Sequence, residues 1–426
     1  MIQYNKLMIL LHIGGFIMSV GVCIINKNGI ALAADSAGTV GANKMFYNSM
    51  NKVFNLSYNN KIGVITYGTT AIYNTPIEII LKEFRNYIDI NCQQISDFFS
   101  LIKLFEDFLY ENRSYFKFED EEKKVCINLI ISLVKEWGTK INEITKGVDE
   151  NLIEGKIMEI IERFKTKINE AIRIPNYDVS HYIETNYKQN IINSIKAFCP
   201  ILVRYQNPFD ELTRCICDYF NLSLRSETEQ PLGLLFAGYD AQTAFPKYIH
   251  LEIYNFVGKK LKYLIKEKFN EDGIHSSIVP LAQPDVINTF CKGFSDNYMN
   301  AIPGIIKSEI DKRVNLVVED KDKIQKCFEG IQNDIVSSLI NKSRVEYINP
   351  LLRSLNVLQI PDLALLAENL VNITSLKRKF SMDGYQQTVG GPTDVATISP
   401  NDGFVWIKRK HYFDKELNPH FIEKHK

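Results

Sequence analysis

Apolar and polar positions alternate in blocks from residue 20 onward, and the blocks predict paired strands before they predict helices. Val20 to Ile25 is a continuous apolar run, Asn26-Lys27-Asn28-Gly29 carries hairpin-turn residues, and Ile30 to Ala34 is a second apolar run. Reflection about the turn centre, between Lys27 and Asn28, sets Ser19 opposite Ser36 and one place from Asp35. A second hairpin follows, with Lys52-Val53-Phe54-Asn55-Leu56, a polar turn at Tyr58-Asn59-Asn60-Lys61, and Ile62 to Tyr67. The same reflection sets Lys52 beside Tyr67 and Gly68. If the two hairpins are neighbours in one sheet, a hydroxyl, a carboxylate, an ammonium and a glycine amide meet at one rim.

Beyond residue 69 the period changes from two to that of helices. Ile130, Leu133, Val134, Trp137, Ile141 and Ile144 recur at helical spacing, as do Ile153, Ile157, Ile160, Ile161, Phe164 and Ile168. They predict a helical pair joined near Gly147-Val148-Asp149, either an added packing layer or a lid or subunit contact over the rim. Pro284 opens a helix through Phe290. Pro361-Asp362 opens another, with Leu363, Leu366, Leu370 and Ile373 on one face. About 105–230 and 294–360 therefore read as helical insertions in a domain spanning 19–426.

Composition narrows the function classes. Lysine plus arginine and aspartate plus glutamate number 50 each, so no net field draws the chain to nucleic acid or an anionic membrane. Lys377-Arg378-Lys379 and Lys408-Arg409-Lys410 read as solvated faces, and no nucleic-acid partner is expected. The eight cysteines include no CxxC pair and no histidine at zinc spacing, which fits a reducing cytoplasm without a metal site or cofactor. Cys215 and Cys217 read as buried thiols.

Residues 1–18 combine Lys6 with the apolar LMILLHIGGFIM, but His12, a glycine pair and the lack of a small-x-small site argue against an export signal. The stretch is too short to span a bilayer. It reads as a propeptide, or as an upstream extension of a chain that starts at Met18.

The amino-terminal pattern resembles that of proteasome β-subunits and HslV-type peptidases, which are N-terminal nucleophile (Ntn) hydrolases. Ser19 to Gly29 and Ala33-Ala34-Asp35-Ser36 follow that pattern without a gap, Lys52-Val53 after one inserted residue, and Gly68 after the next apolar run. Gly233-Leu-Leu-Phe-Ala-Gly-Tyr-Asp240 is similar to a family strand ending in Ala-Gly-Trp-Asp. His275-Ser-Ser-Ile-Val-Pro-Leu-Ala-Gln283 is similar to a stretch with a serine near the nucleophile, at the position of Ser277. Val389-Gly-Gly-Pro-Thr-Asp394 onward, to Trp406, is similar to the last hairpin.

The resemblance implies an α+β fold, a four-layer αββα sandwich of two mainly antiparallel sheets, with Ser19, Asp35, Lys52, Gly68 and Ser277 as catalytic residues. Ser19 would be the nucleophile and its own α-amine the base. Lys52, oriented by Asp35, would keep that amine neutral, and the Gly68 N–H would face the oxyanion. It also implies a peptide or amide substrate, a homo-oligomeric ring and an ATPase partner. The family's threonine is a serine here. Its later serine is Val389, its preceding aspartate is Gln386, and Asp383 is the nearest substitute. A catalytically silent subunit with an assembly role is the alternative.

Overall fold

A computed structural model describes residues 19–40, 45–171, 174–175, 177–222, 231–269, 276–314, 321–380, 390–411, 413–414 and 416–420. Residues 1–18, including Met18, and Asp383, Gln386 and Val389 lie outside the described residues. The strands that form the two large sheets are β1 (Gly21–Asn26), β2 (Gly29–Ala34), β3 (Val53–Asn55), β4 (Ile62–Gly68), β5 (Leu232–Gly238), β6 (Lys247–Val257), β7 (Lys260–Phe269), β8 (Ser277–Leu281), β9 (Asp394–Ser399) and β10 (Gly403–Lys408). One antiparallel sheet has the order β8-β1-β2-β9-β10, the other β7-β6-β5-β4-β3. The helices are α1 (Ile77–Asn91), α2 (Leu101–Glu111), α3 (Phe118–Thr145), α4 (Glu150–Glu170), α5 (Ser180–Phe198), α6 (Gln206–Tyr219), α7 (Asp285–Lys292), α8 (Asp296–Val314), α9 (Lys321–Ser343), α10 (Asn349–Leu355) and α11 (Ile360–Phe380).

Every residue of β1 and β2 is buried, because both faces of their sheet are covered. Cys23, Ile25, Ile30 and Leu32 meet Ile65, Leu235 and Tyr248 between the sheets. The alternate positions Val22, Ile24, Ala31 and Ala33 meet α7 and α11 through Ile287, Leu363, Ala367 and Val371. On the far side, Val64, Phe236 and Leu251 pack on Phe84 of α1 and Phe105 of α2. These layers make the αββα sandwich that the sequence leads one to expect. Ile373 departs from its expected face: it is 47% exposed, while Ala364, Ala367 and Val371 lie against the sheet.

The first hairpin has the expected register, Gly21↔Ala34 through Asn26↔Gly29. Asn26 Oδ1 closes its turn by accepting from the Asn28 and Gly29 amides at 2.8 and 3.2 Å. Adjacency of the two hairpins in one sheet is overturned. The edges of β1 and β2 pair with β8 and β9, and that of β4 with β5, so no edge is left for hairpin to join hairpin. They stack face to face instead, so closely that a Cβ added at Gly21 would stand 2.9 Å from Ile65 Cδ1.

The second hairpin also pairs one residue away from the expected register, with Val53↔Ile65. Lys52 therefore lies opposite Thr66, whose N–H donates to the Lys52 carbonyl at 2.8 Å. An odd-length loop causes the slip. Leu56 N–H closes it on Ile62 O at 3.0 Å, and Asp89 of α1 grips its Ser57 hydroxyl and Tyr58 amide.

Helices α3–α6 enclose a core of their own, in which Trp137 stacks on Phe164 at 4.7 Å between ring centres. Buried Glu122 joins it to the second sheet by accepting from Tyr182 Oη at 2.7 Å, Tyr187 Oη at 3.3 Å and the Gly258 amide at 3.1 Å. Among the described residues, no helix is long and apolar enough to cross a membrane.

Candidate active site

Ser19 is buried immediately before β1, at the end of the sandwich away from the Lys27-Asn28 turn. The hairpin pairing continues past the strands: Asp35 N–H donates to Val20 O at 3.1 Å, and Val20 N–H returns to Asp35 Oδ1 at 3.0 Å. That same carboxylate oxygen accepts from Lys52 Nζ at 2.6 Å. The Lys52 ammonium and the amide that follows Ser19 are thus joined through one atom.

Asp35 and Lys52 are 1% and 5% exposed, a depth at which each charge requires the other. Asp35 Oδ2 accepts the Gly390 amide at 3.1 Å, and Lys52 Nζ also donates to Ala37 O at 2.5 Å. Burial pushes the Lys52 ammonium below its ordinary proton affinity, and the adjacent Asp35 charge opposes that push. Lys410 adds to the depression and Asp394 opposes it. The Gly390 segment closes over Asp35 through Ser36 N–H to Gly390 O at 3.2 Å and Ser36 Oγ to Pro392 O at 2.5 Å.

Gly68 ends β4 two residues beyond Thr66, the residue opposite Lys52. Thr69 N–H donates to Pro231 O on the β5 side and Thr66 N–H to Lys52 O on the β3 side. Ladder alternation therefore turns the Gly68 N–H toward the Lys52 side, past the start of β3. Its φ of +82° and the 2.2 Å that would separate an added Cβ from Pro231 O admit only glycine.

Ser277 is not at this rim. β8 pairs antiparallel to β1 with Ile25↔Ser277 and Gly21↔Leu281, so Ser277 lies at the hairpin-turn end. Six residues of extended chain, about 20 Å, separate that end from Ser19. The same register brings the exit of β8 to the Ser19 end: Ala282, in the left-handed region at φ +68°, and Gln283, whose Oε1 accepts from Arg378 Nε at 2.7 Å. The likeness of residues 275–283 to the family stretch therefore does not bring Ser277 to Ser19, because β8 runs from the turn end toward the Ser19 end.

Two groups at the rim escaped the sequence reading. Asp394, 2% exposed, pairs with Ala34 in the strand ladder, one residue from Asp35 along the chain. Lys410 donates its backbone N–H to Asp394 Oδ1 at 2.9 Å and its ammonium to Oδ2. The expected solvated run at 408–410 is therefore divided. Lys408 pairs with Glu368 at the surface, Arg409 lies over Trp406, and Lys410 turns inward. Among the described residues no group of three metal-ligating side chains occurs, and Cys215 and Cys217 are buried thiols.

The described rim places buried Ser19, a buried ammonium held by a carboxylate, and a glycine amide at a left-handed backbone position at one end of the sandwich. No family model and no curated protein matches the chain. Among solved structures it is similar to Anbu (ancestral beta-subunit) from Yersinia bercovieri, at 8% identity and a TM-score of 0.29, covering 95% of this chain and 93% of that one.

Proposed function

We propose that the protein is a proteasome-like peptidase or amidohydrolase of the N-terminal nucleophile type, with Ser19 as its nucleophile. The observation that carries the reading is the single Asp35 oxygen shared by the Lys52 ammonium and the Val20 amide. In this reading the chain begins at Ser19 once residues 1–18 are removed, or once an initiator Met18 is trimmed. The free α-amine, of ordinary pKa about 8, takes the Ser19 hydroxyl proton directly or through one water. The Lys52 ammonium keeps that amine neutral beforehand.

Oγ then adds to the scissile carbonyl, and the Gly68 N–H donates to the oxyanion. The leaving amine departs with the proton held on the α-amine. Water, activated by the same amine, attacks the Ser19 ester and releases the acid product.

Intact mass, together with turnover of a panel of peptide and amide substrates, tests this. A chain beginning at Ser19 is expected, with Lys52→Ala and Ser19→Ala each losing at least about a hundredfold in kcat/KM while the fold is retained. Unchanged turnover in Lys52→Ala would overturn the mechanism. A folded, full-length and inert chain would instead make Asp35–Lys52 a structural ion pair in a silent subunit. Ring assembly belongs to the same reading, and the mass in solution tests it.

A further inference from the structure

Two carboxylates end neighbouring strands at the candidate site. Asp394 pairs with Ala34, and Asp35 is the next residue of the chain. Both are almost fully buried, where a carboxylate requires a cation, and each has its own. Asp35 has Lys52. Asp394 has Lys410, held through both its main chain and its side chain so that the ammonium is fixed in place. From α1, Glu78 also faces Lys410, itself held by Asn51 Nδ2 at 2.9 Å and Lys82 Nζ at 2.6 Å. Among the described residues the charges that bear on Lys52 are Asp35, Asp394 and Lys410, with Glu78 and Lys82 behind them.

We propose that Asp394 and Lys410 form a positioning pair that sets the proton affinity of Lys52, and through it the pH window in which Ser19 works. The proposal rests on the hydrolase reading for its consequence and on the ion-pair geometry for its cause. With Lys410 present, Asp394 is neutralised and the Lys52 proton is held mainly by Asp35. Without Lys410, Asp394 becomes an uncompensated buried anion. Lys52 and the neighbouring α-amine would then both bind protons more tightly. With Asp394 neutral and Lys410 retained, a bare cation remains and the effect reverses. A pair that merely latched the end of β10 would change stability without these opposite signs.

The test compares wild type with Lys410→Met, Asp394→Asn, the double variant and Lys410→Arg. One measurement is the acid limb of kcat/KM. The other is the Lys52 Nζ titration, followed by NMR in lysine-labelled protein and assigned with Lys52→Arg. In Lys410→Met both midpoints are expected to rise by roughly half a unit to one unit, and in Asp394→Asn to fall by a similar amount. The double variant and Lys410→Arg should return toward wild type. An unmoved Nζ midpoint in folded Lys410→Met, or shifts of the same sign in both single variants, would overturn the proposal. If Lys410→Met does not fold, Asp394→Asn decides by its sign alone. Wild-type protein without hydrolysis but with the two opposed Nζ shifts would sink the hydrolase reading and leave this one standing.

Discussion

Lowering the pH from 7 to 4.5 should weaken the folded sandwich through His250, a residue outside the candidate site. Tyr67 and Glu252 flank Gly233 in the β4-β5-β6 ladder. The Tyr67 ring crosses Gly233, where an added Cβ would lie 2.1 Å from it, and reaches His250 on β6. There its hydroxyl lies 2.7 Å from Nε2, with the rings edge to face at 5.6 Å. Burial, helped by Lys266 and opposed by Glu252, lowers the His250 pKa to about 4. The unfolded chain takes up the proton near ~6.5. Between these values the unfolded state binds more protons, so stability rises with pH from about 4 to 6.5 and is level above. The 2.5-unit gap is worth roughly 3 kcal/mol, and most of it is already lost at pH 4.5. Urea unfolding of wild type and His250→Asn, each at pH 7 and 4.5, isolates this group from the carboxylates. The wild type should lose roughly 2–3 kcal/mol more than the variant across that interval. Equal losses would show that the imidazole is not held neutral by its surroundings.

Gly68→Ala should lose roughly 2–3 kcal/mol, because a Cβ meets Pro231 O at a left-handed backbone position, and hydrolysis should fall with it. An unchanged melting temperature would refute the clash. Glu122→Ala leaves two tyrosine hydroxyls and the Gly258 amide without their acceptor, at a cost of about 3 kcal/mol. Hydrogen exchange should then speed up in α3 and α5 while the strands of the sandwich stay protected. Uniform exchange throughout would mean that Glu122 supports the whole fold rather than this junction.

What the sequence revealed is local in kind. The first hairpin could be registered to the residue because Asn26 and Gly29 bracket a short turn, and Asp35 and Lys52 stood out as charges at the ends of apolar runs. The second hairpin slipped by one because its loop is shaped by Asp89, a helix residue that no strand pattern points to. Stacking of the hairpins was hidden too, since fully apolar strands suit a central place in either sheet. Asp394 and Lys410 were the least legible. Asp394 reaches Asp35 only through the pairing of β2 with β9, and Lys410 sits in a basic run that reads as surface. Ser277 failed for a related reason, because a motif matched by residue type does not say at which end of a strand it sits.

Distance along the chain also determines when the site can exist. The Asp35 carboxylate accepts from Val20 N–H before β1, from Lys52 before β3, and from Gly390 N–H before β9. At 1% exposure it cannot exchange any of these for water without cost. The first donor is available as soon as the hairpin forms. The second requires the two sheets to stack, and the third requires the chain to return across 355 residues and add β9 beside β2. Until then a buried Asp35 would be under-coordinated, and Asp394, whose own cation comes still later at residue 410, would be absent from its side. The charged rim therefore belongs to the completed sandwich, and a hydrolase of the proposed kind would acquire an oriented Lys52 only after its last strands had docked.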